Sequence, residues 1–458
     1  MYTLQLVLCA ILLIFDSCIL QFRHNSKKLT MKKLALPSML LFVLLLLNYS
    51  FKTFAQTIPA KPTMDTVKWG FQLYGFVRND VMYDSRQIVS AREGDFSIFP
   101  KDKLLDANGN DINAAPTFHM LAIASRIGGN ITGPNAFGAK TSALFEAEFF
   151  GNFDGGINEF RLRHAWAKLD WKKTQLAFGQ YWHPMFVPDC YPGVIDFNTG
   201  VPFQPFNRSP QIRLTQKLDK ENKLALILAV IAQRDFASAA PAGYAATDPF
   251  RNAALPNLHA QLQYKDAHLV AGLGVDYKSL RPRLSSGTPS VISNERVNST
   301  SFIAYIKVIT KPVIFKAEAV SGENLTDHVM LGGYLGYLTS PAAVETYAPT
   351  KTKSFWFDVA GTNKKVVPGI FIGYTESNGA NLGASAAYGR AIGIAGRGIK
   401  NIFRISPRIE FISGKFKFGT EMEYTAAQYG ALSTDAKING STDNINNTRL
   451  LLTTTFSF

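Results

Sequence analysis

The chain ends T-R-L-L-L-T-T-T-F-S-F, from Thr448 to Phe458. Leu450, Leu452, Thr454, Phe456 and Phe458 fall on one face of an extended chain; Arg449, Leu451, Thr453, Thr455 and Ser457 fall on the other. Successive side chains of a strand point to opposite sides, so this is a period of two. Sustained over about ten residues, it has the length of a tilted strand crossing a bilayer. An edge strand of a water-soluble β-protein reads the same way, and the rest of the chain decides between them.

The 458 residues allow either two or three soluble domains or one large barrel. The mean hydropathy of +0.01 is too low for a helical bundle in a bilayer but suits alternating apolar and polar positions. Lys32 and Lys33, the apolar run Leu34 to Leu47 and the small residues Thr53 and Ala55 form a secretory signal over 31–55, cleaved after Ala55. Met31 is then expected to be the true start and residues 1–30 a misassigned extension, a tandem anchor being the alternative. Removing residues 1–55 takes away six basic and one acidic residue, leaving a net charge of about +9, and leaves Cys190 as the single cysteine. No disulfide within the mature monomer is possible.

Residues 56–67 read as a short polar arm. From 68 to 458 alternation does not stop. Strands are expected at 69–84, 118–131, 138–151, 157–171, 174–181, 209–218, 223–233 and 257–265, then at 268–280, 298–310, 312–322, 353–361, 367–375, 401–413, 415–428 and 447–458. Sixteen is an even number, as a closed single-chain barrel with both ends on one side requires. Long connections alternate with short ones, the segment 152–156 alone being short where a long one is due. Long loops on one side and tight turns on the other mark an all-β, antiparallel transmembrane barrel, with long extracellular loops and short periplasmic turns.

A charge facing lipid at the midplane costs about 2–4 kcal/mol, so the charged face of each strand is expected to look inward. That rule selects Arg78 with Asp80, Arg126, Glu146 and Glu148, Arg161 and Arg163, Arg213, Arg404 and Arg408 as pore-lining candidates. Most Arg and Glu rows are expected to brace the wall as ion-pair ladders. Basic residues slightly outnumber acidic ones, which predicts a weak preference for anions. The connection 182–208 is rich in Pro and aromatic residues, which stiffen a chain and favour packing against a wall. It is expected to fold inward and narrow the pore, with Asp189 and Asp196 facing basic wall residues. An exposed loop docking on a neighbouring subunit is the alternative.

The final strand with its terminal Phe458 resembles the closing strand of bacterial outer-membrane barrels. The resemblance implies an assembly signal read by the barrel assembly machinery. The runs F-R-L-R-H-A-W-A-K-L (160–169), L-A-F-G-Q-Y-W-H-P-M-F (176–186), R-S-P-Q-I-R-L (208–214) and G-E-N-L-T-D-H-V-M-L-G-G-Y (322–334) are similar to the trimeric Gram-negative outer-membrane porins of the DcaP-like family. That resemblance implies a homotrimeric diffusion channel in outer-membrane lipid for small polar or anionic solutes, carboxylates among them. It also implies that Arg161, Arg163 and Arg213 line the constriction. Some members carry an N-terminal coiled coil, which the short arm here cannot form.

Other classes find less support in the residues. His119, His164, His183, His259, His268 and His328 are scattered, with no metal-ligand spacing. No cofactor or metal is therefore expected. A lipid hydrolase pairing His119 or His164 with a wall serine has no accompanying motif, and no basic patch points to nucleic acid. A non-conducting structural or adhesive barrel remains the main alternative to a porin.

Overall fold

The computed structural model describes residues 69–393 and 396–458. The expected extension, signal and arm, residues 1–67, lie outside the described residues. The barrel strands are β1 (Gly70–Asp84), β2 (Thr117–Leu121, resuming as Arg126–Ala136), β3 (Ala139–Glu148), β4 (Arg161–Asp170), β5 (Thr174–Trp182), β6 (Arg208–Lys217), β7 (Leu224–Ile231) and β8 (Asn257–Lys265). They continue as β9 (Leu269–Leu280), β10 (Val297–Ile309), β11 (Val313–Glu323), β12 (Lys351–Gly361), β13 (Val366–Ser377), β14 (Arg397–Ser413), β15 (Phe416–Ala431) and β16 (Thr442–Ser457). Each pairs antiparallel with its sequence neighbours, and β1 also pairs with β16 from Phe76↔Ser457 to Asp84↔Arg449. The sheet is closed and has no free edge.

Burial alternates along the strands in the inverse sense of a soluble protein. In β16, Arg449, Leu451, Thr453 and Thr455 are buried while Leu450, Leu452 and Phe456 are exposed. In β12, Thr352, Ser354, Trp356 and Asp358 are buried while Phe355 and Phe357 face out. Leu73, Val77, Leu273, Phe302, Phe403, Phe418 and Met422 extend the apolar exterior around the wall. An exterior this apolar is stable only against hydrocarbon, so the barrel crosses a membrane with its strands.

The connections differ from expectation at two places. The link expected at 152–156 occupies 149–160, with a turn of 3-10 helix at Asp154–Gly156. The strand stops at Glu148, earlier than the apolar pattern suggested, and Gly151, at φ 64°, turns the chain within the link. Long loops therefore alternate with short turns without exception. The strand expected to end at 131 runs on to Ala136, so the first tight turn lies at Phe137 and Gly138; both residues have positive φ, as a two-residue hairpin turn demands. The register shifts between Gly133 and Ala136, a bulge that accommodates Pro134, which has no N–H for the ladder.

At the seam, the Phe458 N–H donates to the Gly75 carbonyl at 3.0 Å, and the Phe458 ring covers Gly75, where a Cβ would come within 2.6 Å of it. A side chain here would also collide with the Arg126 carbonyl. Two substitutions test the wall. Leu273→Arg on the outer face is expected to destabilise the folded barrel by about 2–4 kcal/mol in lipid vesicles. Gly75→Leu is expected to lower the yield of refolded barrel by displacing Phe458. Denaturant titration and heat-modifiable mobility on gels check both.

Candidate functional site

The residues of greatest interest lie where the loop between β5 and β6, residues 183–207, turns inward and crosses the barrel interior. Its contacts name the walls it reaches. Lys265 of β8 pairs with Asp189 at 2.7 Å. Cys190 Sγ donates to the Ile306 carbonyl of β10, and Lys316 of β11 donates to the Tyr191 carbonyl at 2.9 Å. Ser354 of β12 donates to the Phe203 carbonyl at 2.9 Å, and Phe203 packs on Gly373 and Phe371 of β13. Arg404 of β14 donates to the Val201 carbonyl at 2.7 Å, Glu421 of β15 accepts the Ile195 N–H at 2.7 Å, and Arg78 of β1 donates to the Ile195 carbonyl at 2.8 Å. Pro and aromatic residues suit this path, because rigid bulky side chains fill space inside the wall at low entropic cost. Met185, Phe186, Val187, Phe197, Phe203 and Phe206 join Phe96 and Phe99 from the loop after β1, and Leu325 and Met330 from the loop after β11, in one buried apolar cluster.

Two ion-pair networks flank this loop. On one side Glu148 accepts from Arg126 at 3.1 Å, Arg161 at 2.6 Å and Arg163 at 2.5 Å, while Arg163 also pairs with Glu146 at 2.7 Å. Arg208 pairs with Asp235 at 2.6 Å, and the Arg161 guanidinium stacks on Phe150 at 4.6 Å. On the other side Arg449 holds Asp84 at 2.8 Å and Asp196 at 2.7 Å, and donates to the Gly94 carbonyl. Arg78 pairs with Asp80 at 2.7 Å, Arg404 with Glu423 at 3.1 Å and Arg408 with Asp358 at 2.8 Å. Each charge named in these two networks thus faces an opposite charge at close range, a condition for a buried pair to persist. Burial pushes the Asp196 carboxyl pKa up, with Arg449 opposing the rise. Burial pushes the Cys190 thiol up to about 12.

Of the residues singled out from the sequence, Arg126, Arg161, Arg163, Glu146 and Glu148 meet in the first network. Arg78, Asp196, Arg404 and Arg408 lie along the second, each contacting or neighbouring the crossing loop. Asp189 sits with Lys265, more exposed than either network. Arg213 stands apart. Its guanidinium donates to Gln211 Oε1 and the Trp182 carbonyl and lies over Trp166 and Tyr181, with no carboxylate partner among the described residues. Phe458 is at the seam. Arg449 and Arg208 join these residues although they were not among the pore-lining candidates; the polar face of the last strand marks Arg449 as inward, but its carboxylate partner Asp196 comes from the crossing loop. His164 packs against Tyr181 and edge-on to Trp182 with Nε2 3.7 Å from Glu146, and His119 lies beside Gly94. Three other histidines, His183, His259 and His328, gather at the root of the crossing loop.

The fold of this barrel has known counterparts. The outer-membrane channel DcaP of Acinetobacter baumannii superposes with a TM-score of 0.61 at 17% identity, covering 85% of this chain and 97% of that one. The barrel has the fold of an outer-membrane porin. An anion-selective porin from Comamonas acidovorans shares the fold with a TM-score of 0.50 at 10% identity, over 85% of this chain and all of the other. No family model and no curated protein matches the sequence.

Two measurements probe the placement of the loop in this barrel. Arg449→Ala leaves Asp84 and Asp196 buried without their cation, and is expected to cost about 3–5 kcal/mol of stability in denaturant titration. Asp189→Ala, which removes an exposed pair, is expected to change it by less than about 1 kcal/mol. Cys190, buried and held as a thiol, is expected to react with maleimide at least ~100-fold more slowly in the folded protein than in denaturant.

Proposed function

We propose that the protein is a diffusion porin of the outer membrane for small hydrophilic solutes, with the loop 183–207 as its constriction. The observation that carries this reading is the path of that loop. It spans from β5 to the opposite wall and is held there by the side chains of Arg78, Arg404 and Glu421, so any solute moving along the barrel axis must pass beside it. Between the loop and the wall lies a cleft lined by Arg78, Tyr191, Ile195, Glu410, Lys417 and Thr453.

A weak preference for anions is part of the proposal. Arg161 and Arg163 spend their charge on Glu146 and Glu148, so they line the site without offering free charge. Arg213, bonded only to neutral acceptors, and Lys316, bonded to a carbonyl, are among the cations available to attract an anionic group such as a carboxylate. A neighbour that shares the fold is described as anion-selective, which agrees with this sign.

A homotrimer is proposed from the height of the wall. Strands β3 to β8 have only 8–10 residues, whereas β14 to β16 have 16–17. A low wall on one side exposes its neighbouring loops, and association with further copies covers them. The competing reading is a non-conducting structural or adhesive barrel, favoured by the apolar cluster packed inside the wall.

Planar-bilayer recording separates the two. The wild type is expected to conduct with a reversal potential of the anion-selective sign across a salt gradient. Deleting 188–203 is expected to raise single-channel conductance, and Arg213→Gln to shift the reversal potential toward zero. Absence of conductance in protein verified as folded selects the non-conducting barrel, and clear cation selectivity removes the anion preference.

A further inference from the structure

Histidines 183, 259 and 328 are far apart in sequence, yet the fold brings them together behind the crossing loop. His259 of β8 and Asp276 of β9 are direct cross-strand partners. His183 follows β5 at the root of the loop, and His328 ends the short 3-10 helix Leu325–His328 after β11. All four side chains are more than nine-tenths buried. The His183 ring lies 5.7 Å from that of His259 and 4.6 Å from that of His328, centroid to centroid.

The cluster leaves several of its buried nitrogens without hydrogen-bond partners. His259 Nε2 is 3.1 Å from Gln261 Oε1, and the Gln261 amide is oriented by its own donation to the Tyr305 hydroxyl at 2.6 Å. The neutral ring therefore carries its proton on Nε2 and turns the Nδ1 lone pair toward Asp276 Oδ1, 3.3 Å away. Two acceptors facing each other require a proton or a cation between them. His183 Nε2 lies 3.4 Å from the same oxygen and has no hydrogen-bond partner, nor has either nitrogen of His328. Three orphaned imidazole nitrogens in one buried pocket are costly unless something occupies it. Asp276 is itself a buried carboxylate whose ion-pair partners are histidines; no Lys or Arg pairs with it among the described residues.

We propose that His183, His259 and Asp276, with His328 beside them, bind one divalent transition-metal ion of the zinc class. The ligand atoms of His183, His259 and Asp276 lie within 4.8 Å of one another. A tetrahedral zinc with bonds of about 2.0–2.1 Å sets its ligand atoms about 3.3–3.4 Å apart, which the two distances to Asp276 Oδ1 already match. Imidazole and carboxylate donors suit zinc and its neighbours better than calcium or magnesium. Gln261 supplies the outer hydrogen bond that fixes the His259 tautomer. One adjustment is needed. The Met185 N–H donates to His183 Nδ1 at 3.2 Å, so coordination through Nε2 moves that ring's proton to Nδ1 and gives up this long bond. The ion would tie the root of the crossing loop to β8, β9 and the turn at 325–328. The site stands whether or not the barrel conducts.

The test uses untagged, refolded full-length barrel in detergent, stripped with EDTA, dialysed against micromolar Zn2+ and measured by elemental analysis. About one zinc per chain is expected, with a rise in melting temperature that EDTA reverses. Asp276→Asn and His259→Gln are each expected to weaken binding by more than ~10-fold. His268→Gln, at an exposed turn, is expected to leave it unchanged. Gel mobility before and after heating confirms that each variant is folded. Cobalt loading of the wild type needs no variant and is expected to give the intense visible bands of a four-coordinate site. Less than about 0.1 zinc per chain, equal binding by wild type and both ligand variants, or only the weak bands of hydrated cobalt overturns the proposal.

Discussion

In hydrocarbon no water is available to an unpaired peptide group, so each N–H and C=O that meets lipid must find a partner within the protein. The remaining architecture depends on that constraint. It forces the sheet to close, and closure here is made by β1 and β16, whose pairing runs from Phe76↔Ser457 to Asp84↔Arg449. The seam is held from inside as well, since Arg449 grips Asp84 on β1 while Thr453 donates to Asp80 at 2.7 Å. The terminal Phe458 folds back over Gly75, where the lack of a side chain lets the last residue lie flat on the first strand.

Closure creates an interior, and the interior is where the chain departs from a simple hollow cylinder. The strands bring in Arg, Asp and Glu because these cannot face lipid, and the loop 183–207 brings in Phe, Pro and carbonyl groups. Each needs the other. The arginines find carboxylates and carbonyl oxygens, as Arg404 does at Glu423, Val201 and Ile98, while the loop's backbone groups find side-chain partners they would lack in a dry space. The same chemistry fixes which charges stay available. Arg161 and Arg163 are committed to Glu146 and Glu148, whereas Arg213 meets only neutral acceptors and aromatic faces.

Strand positions were readable from residue order because the rule that makes them is local. A side chain's face depends only on whether its index is odd or even, so Leu450, Leu452 and Phe456 could be assigned outward before any partner was known. Errors arose where glycine and proline interrupt that rule, at Gly151 and around Pro134. The inward rows were legible for the same reason. Their partners were not: the convergence of Arg126, Arg161 and Arg163 on Glu148 depends on adjacent strands lying in a particular register, and Arg449 acquires its second carboxylate from a loop 253 positions away in sequence.

The amino-acid sequence by itself determined an all-β wall of sixteen strands, its long and short connections, and the polarity of its two faces, since period-two patterning and turn residues act over a few neighbours. Only the tertiary structure decided how deeply the loop 183–207 enters, which charges are neutralised, and that His183, His259 and His328 share one buried pocket with Asp276. Those outcomes require segments brought together by barrel closure, and no local pattern encodes a distance between residues separated by scores of positions.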